Sequence, residues 1–222
     1  MMRRRTAYLA IGALAAMASA AAAAELGTVK QPDGTIAPPT DWIGLEVSPS
    51  FFATSTGGHV AGHYDDTSVK LNYAHRFDGA FALGGSLKDD IKQDGKHQFY
   101  AETKGGYRFD FGRFSLTPSA SLGVTWNDTG FGPSGDATTA YYAFYLAGDL
   151  ALSEKLIWTM FDLRYRDAFD YVWVTPEVTT GLTYKMTEAD RVYGNASYSW
   201  KGTGDGLHGD TYGFALGVQH GF

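Results

Sequence analysis

The chain closes on Tyr212-Gly-Phe-Ala-Leu-Gly-Val-Gln-His-Gly-Phe222. Tyr212, Phe214, Leu216, Val218 and Phe222 share one phase of a two-residue period, and between them stand Gly213, Ala215, Gly217 and Gln219. Successive side chains of a strand point to opposite faces. The segment therefore reads as a strand with one bulky apolar face and one face that is small or polar.

Working backward, the same alternation recurs to Asp41 and is broken by turn-rich stretches. The apolar phases, in chain order, are Ile43, Leu45, Val47, Phe51; Val69, Leu71, Tyr73, Phe77; and Phe81, Leu83, Leu87. Then come Phe99, Ala101, Thr103, Tyr107, Phe109; Phe114, Leu116, Ala120, Leu122, Val124, Trp126; and Tyr142, Phe144, Leu146, Leu150, Leu152. Ile157, Thr159, Phe161, Leu163, Tyr165 form the seventh; Val172, Val174, Val178, Leu182, Tyr184 the eighth; and Val192, Ala196, Tyr198, Trp200 the ninth. With the closing segment this predicts ten strands, or eight if two weaker segments are loop.

Charges fall on the opposite phase. Glu46, Lys70, Arg76, Glu102, Lys104, Arg108, Asp149, Asp162, Arg164, Arg166, Glu177, Lys185, Arg191 and Lys201 occupy it, with Gly84, Ser119, Ser121, Gly123, Gly181 and Gly213 among them. A soluble sandwich alternates too, with its apolar face inside. Two features favour the inverted arrangement, apolar face out. Aromatics gather near segment ends, at Trp42, Phe77, Phe81, Phe109, Phe111, Phe114, Trp126, Tyr142, Trp200 and Tyr212, as interfacial girdles do. Connections also alternate between tight and long. The tight ones are Asp78-Gly79, Asp110 to Arg113, Ser153-Glu154 and Thr187 to Asp190; the long ones are Ser55 to Thr67, Lys88 to Lys96, Asn127 to Thr139 and Gly202 to Asp210. The connection near Asp167 to Asp170 breaks the rule by reading as short. Pro49, Pro118 and Pro176 fall inside proposed strands, where a ladder donor is lost.

Ahead of the alternation stand two other segments. Arg3 to Arg5, an apolar run from Ala7 to Ala18 and Ala22-Ala23-Ala24 read as a signal peptide over 1–24, cleaved before Glu25. Residues 25–40, with Pro32, Pro38 and Pro39, read as an irregular lead-in. After residue 24 remain 15 basic and 24 acidic residues, a net of −9, with no basic block. That argues against nucleic acid as a partner. No Cys is present, so there is neither disulfide nor thiol chemistry.

A signal peptide, repeated inverted alternation and a last strand ending in Phe222 together resemble small bacterial outer-membrane β-barrel proteins of the porin-like kind. The resemblance implies an all-β, antiparallel, up-and-down transmembrane barrel over 41–222, placed in the outer membrane. It also implies contact with outer-membrane lipid and lipopolysaccharide, and engagement of the last strand by the barrel-assembly machinery. No subfamily motif stands out, and no oligomeric face is marked.

Inside such a barrel the opposite-phase charges are the candidate site. Glu46, Lys70, Arg76, Glu102, Lys104, Arg108, Asp149, Asp162, Arg164, Glu177 and Lys185 are expected to face the lumen, either selecting small polar solutes or ions or filling the space as paired side chains. A second constellation is acidic. Asp65-Asp66, Asp89-Asp90, Asp94, Asp128, Asp136, Asp205 and Asp210, with His59, His63, His97 and His208, are expected in loops. Carboxylates there suit a hard divalent cation bridging to lipopolysaccharide. Asp89-Asp90 and His208 with Asp210 are similar in kind to the Asp–Asp and Asp–His pairs of the omptin-type surface proteases, though their spacing departs from that pattern. No nucleophile motif, phosphate loop or dinucleotide fingerprint appears; no enzyme and no cofactor is expected, the alternatives to a channel being a plugged barrel with a structural, adhesive or lipopolysaccharide-contacting role and, third, a loop-borne surface hydrolase.

Overall fold

The computed structural model describes residues 39–55, 60–77, 80–131, 135–203 and 206–222, with backbone alone at 128, 129, 131, 136 and 203. The predicted signal peptide, residues 25–38 of the lead-in, His59, the Asp78-Gly79 turn and Asp205 lie outside the described residues, as do the side chains of Asp128 and Asp136. Residues Thr40–Gly221 form one compact unit.

Ten strands follow one another: β1 (Asp41–Phe52), β2 (Tyr64–Arg76), β3 (Phe81–Lys92), β4 (His97–Tyr107, resumed over Phe109–Phe111), β5 (Phe114–Phe131), β6 (Asp136–Ala151), β7 (Leu156–Ala168), β8 (Glu177–Lys185), β9 (Asp190–Thr203) and β10 (Gly206–Gly221). Each pairs antiparallel with the next, and β10 pairs with β1 through Leu45↔Val218 and Val47↔Leu216, which closes the barrel. Closure removes the free edges that an open sheet would present. No helix occurs among the described residues. Ten strands agree with the larger of the two expected counts.

The two faces are inverted relative to a soluble domain. On the outward phase Leu122, Phe144, Phe214 and Leu216 are between 55% and 75% exposed, whereas inward Tyr141, Thr125 and Ser115 are almost wholly buried. At strand ends the outward phase also carries carboxylates, each held by a histidine: Asp41 by His75 (2.8 Å), Asp89 by His97 (2.9 Å) and Asp190 by His220 (2.8 Å).

The three prolines sit where the ladder is already interrupted. Pro49 adjoins a bulge in the β1–β2 pairing. Pro118 lies between Gly106↔Ser119 and Phe109↔Leu116, the gap that divides β4 in two; without an N–H it cannot complete that pair. Pro176 precedes β8, and its carbonyl accepts from the Trp200 N–H at 2.9 Å.

Three expectations need correction. First, β7 carries a bulge between Thr159 and Asp162, so its phase switches midway. Trp158 takes the outward place below the bulge, and Thr159 instead donates from Oγ1 to Asp149 at 2.7 Å. Second, most predicted long loops are largely strand. β3 runs to Lys92, β5 and β6 pair as far as Phe131↔Asp136, and β9 and β10 as far as Thr203↔Gly206. Third, the connection that read as short is long: β7 ends at Ala168 and β8 starts at Glu177, so Val172 and Val174 belong to the loop 169–176. Connections after odd-numbered strands lie at one end of the barrel, the loop end; those after even-numbered strands lie at the other, the turn end.

Candidate functional site

The inward phases of all ten strands enclose a cavity of about 590 Å³. Its lining reaches from Ala80, Ala82, Thr117 and Ala147 toward the turn end to Asp65, Lys92 and Asp210 at the loop end. Glu46, Lys70, Glu102, Lys104, Asp162, Arg164 and Glu177 line it. Arg76, Arg108, Asp149 and Lys185 share the inward phase but lie near strand termini at the turn end, outside the cavity wall. Arg108 instead pairs with Asp110 at 2.7 Å in an exposed position.

Glu102 is the centre of the best-defined cluster. It accepts hydrogen bonds from the Tyr145 hydroxyl (2.9 and 3.1 Å) and the Tyr141 hydroxyl (3.1 Å). The local cause is a row across three strands, Glu102↔Gly123↔Tyr141. A Cβ at Gly123 would collide with the Tyr141 ring, so glycine there lets the ring lie flat over β5 and reach the carboxylate on β4. The same row recurs as Glu46↔Gly217↔Tyr193, with the Tyr193 hydroxyl 2.9 Å from Glu46. A collision at Gly217 with the Tyr193 ring again requires the glycine.

Cations line the same wall. The Lys104 ammonium lies 3.6 Å from the Tyr145 ring centroid, and Arg164 pairs with Glu177 at 3.1 Å. Both are charge-stabilising contacts in a partly desolvated space. Nearer the loop end Lys92 bridges Asp66 and Asp65, while Lys88 pairs with Asp90 at 2.9 Å. Ser50 and Ser68 donate to Asp66 and Asp90. Asp66 and Asp90 are buried.

These contacts correct the loop assignments. Asp65, Asp66, Asp89 and Asp90 are strand residues. Asp89 and Asp90 point to opposite faces, Asp89 to His97 outside and Asp90 to Lys88 in the lumen, so the omptin-like aspartate pair does not assemble. Among the described residues no group of three or more His, Asp or Glu is placed to hold a metal. The sequence reading missed Lys88, Asp90 and Lys92 as lumen residues, although they continue the phase of Gly84 and Ser86. It also missed Tyr100, Tyr141 and Tyr145, whose inward phase was the available signal.

No protein-family model matches the chain, and no curated protein matches it. Solved structures do. The β domain of the Bordetella autotransporter Brka superimposes with a TM-score of 0.51 at 15% identity, covering 84% of this chain and 100% of that one. Neisserial surface protein A gives 0.42 at 12%, covering 82% and 97%. A KdgM porin gives 0.44 at 17%, covering 81% and 99%. At these identities the likeness is one of fold: the chain has the fold of outer-membrane β-barrel proteins.

Proposed function

We propose that this chain is an exported outer-membrane barrel whose lumen passes small polar solutes or ions. The observation that carries the reading is the polar cavity lined from near the turn end to the loop end. The apolar outward phase supplies the lipid-facing band, since only closed pairing satisfies backbone groups in hydrocarbon. In this reading the turn end is periplasmic and the loop end external. Lipid and lipopolysaccharide contact the outer face, and the assembly machinery engages β10 and Phe222. No residue is assigned a catalytic role.

A plugged barrel is the second reading, favoured by the tyrosine–Glu102 cluster that fills one side of the lumen. Conductance separates the two. Full-length protein from outer membranes, first checked for a heat-dependent shift in gel mobility, is reconstituted into planar bilayers in KCl. Discrete conductance steps are expected; a baseline without steps would leave the plugged barrel.

A further inference from the structure

One inward row at the turn end is made of donors. It runs Lys185↔Arg191↔Gln219↔Gly44↔Asn72 across β8, β9, β10, β1 and β2. No carboxylate stands in it, and Gly44 leaves its middle low. A Cβ there would strike Asn72 Nδ2 and press on Gln219 Cγ, so both side chains lean over the glycine. Asn72 Nδ2 is buried without an acceptor.

Arg191 reaches the same strand from the other side. Its guanidinium carbon lies 3.9 Å from the Trp42 ring centroid, and its Nε is buried without a partner. The Nη groups are neither buried nor bonded among the described residues. Trp42 and Gly44 are two residues apart on one face of β1, a step of about 6.5 Å. Arg191 and Asn72 thus converge on one spot, with Gln219 between them. A guanidinium held against an aromatic face is fixed in direction, and its free Nη donors suit an oxyanion.

Charge at this end is uncompensated. Arg76 and Arg108 lie within electrostatic reach of Arg191, as does Glu188 on the exposed turn before β9. Arg108 has Asp110 as its partner, but Arg76, Lys185 and Arg191 have no ion pair among the described residues. Asp149, an inward carboxylate at this end, stands on β6 across the barrel and accepts from Thr159. Like charges held together repel, and three of them without carboxylate partners favour an anion of more than one charge. The loop end offers the opposite field, since Asp65, Asp66, Asp90 and Asp210 outnumber Lys88 and Lys92 in its lining.

We propose that Arg191, Gln219 and Asn72, over Gly44 and rimmed by Arg76 and Lys185, form a binding site for a doubly charged tetrahedral oxyanion, sulfate or a phosphate group. The oxyanion meets the Arg191 Nη groups, and the amides of Gln219 and Asn72 donate to its remaining oxygens. Asn72 also lines the cavity, so the site opens onto the lumen. It belongs to the turn-end mouth whether or not the lumen conducts.

The test dialyses full-length protein in detergent micelles against radiolabelled sulfate, at fixed ionic strength and a mildly alkaline pH where phosphate is a dianion too. Saturable binding is expected, displaced by phosphate at similar concentrations and by acetate or nitrate only at roughly tenfold higher ones. Arg191→Gln should weaken it roughly tenfold or more, as loss of a charged hydrogen-bond pair does. Arg191→Lys, which keeps the charge and loses the fork, should fall between. Gln219→Glu sets a carboxylate in the row and should abolish binding, while the heat-dependent gel shift still reports a folded barrel. Lys155→Gln removes an exposed cation of the β6–β7 turn, outside the row, and should change nothing. Equal losses for Lys155→Gln and Arg191→Gln would reduce the effect to diffuse attraction and overturn the site. So would acetate competing as well as phosphate, or folded wild type without saturable binding. Because no current is read, failure of the channel reading leaves these titrations standing.

Discussion

Along β4, β6 and β7 the lumen wall is built mainly of Tyr100, Glu102, Lys104, Tyr141, Tyr145, Arg164 and Arg166; along β9, β10 and β1 it is mainly Asn195, Ser197, Ser199, Thr211, Gly213, Ala215, Ser48 and Ser50, with Glu46 and Asp210 as its carboxylates. Both walls obey the same inward phase, and both back onto the same apolar outer face. They differ in bulk. The first fills its side with rings and charges that satisfy one another, and the second leaves room. Alternation dictates which face a residue takes, and the side chains chosen on that face decide where the free space lies.

The largest effects should come from behind the walls, where the two ought to behave alike. Leu146→Arg and Leu216→Arg, both on the outward phase, are each expected to destabilise the barrel by roughly 2–4 kcal/mol. Urea unfolding of protein in lipid vesicles measures this. The inward neighbours should separate the walls, with Ala215→Arg tolerated better than Ala147→Arg. Equal losses at Leu216 and Ala215 would erase the distinction between outside and inside.

Next in size is removal of the two tyrosine-bonded carboxylates. Glu102→Ala leaves two hydroxyls without their acceptor and should cost about 1–3 kcal/mol. Glu46→Ala deprives Tyr193 alone and should cost less by the same measurement. A reversed order would show that the crowded wall is no more interdependent than the open one.

Smaller in stability, but direct for function, are changes in bulk. Ser197→Trp should leave stability within about 0.5 kcal/mol while lowering single-channel conductance. Tyr145→Ala should raise conductance. If neither moves it, the current does not run beside these walls.

The smallest change lies outside both walls, in the β3–β4 turn. Asp94 accepts hydrogen bonds from the Lys96 ammonium and the Lys96 backbone N–H, which hold its carboxyl below the ordinary aspartate value. A carboxyl lowered in the folded state adds stability above its unfolded pKa and loses it as pH falls through the folded one. Asp94→Asn should therefore flatten the acid limb of the stability profile, and only slightly, because the pair is exposed.

Much of this architecture was readable because period two is hard to counterfeit over ten segments. The outward residues of β1 to β6 and of β10 follow directly from it, and so does the placement of Glu102, Lys104, Asp162 and Arg164 on the lumen side. The bulge in β7 left no such trace, since one extra residue changes phase without changing composition. Loop 169–176 was obscured by Val172 and Val174, which continue the β8 alternation on paper. The cluster at Glu102 was also out of reach, because its partners come from β6 across β5. Recognising it requires the register that aligns Glu102, Gly123 and Tyr141.

The central claim is a hydrated interior inside a lipid-facing shell. The natural chain has no cysteine, so single-cysteine variants along β9 test it directly in intact membranes with a charged, membrane-impermeant maleimide. Asn195→Cys, Ser197→Cys and Ser199→Cys should label, while Ala196→Cys and Tyr198→Cys should not. Labelling of the even positions with protection of the odd ones, or uniform labelling of all five, would contradict the inside-out assignment.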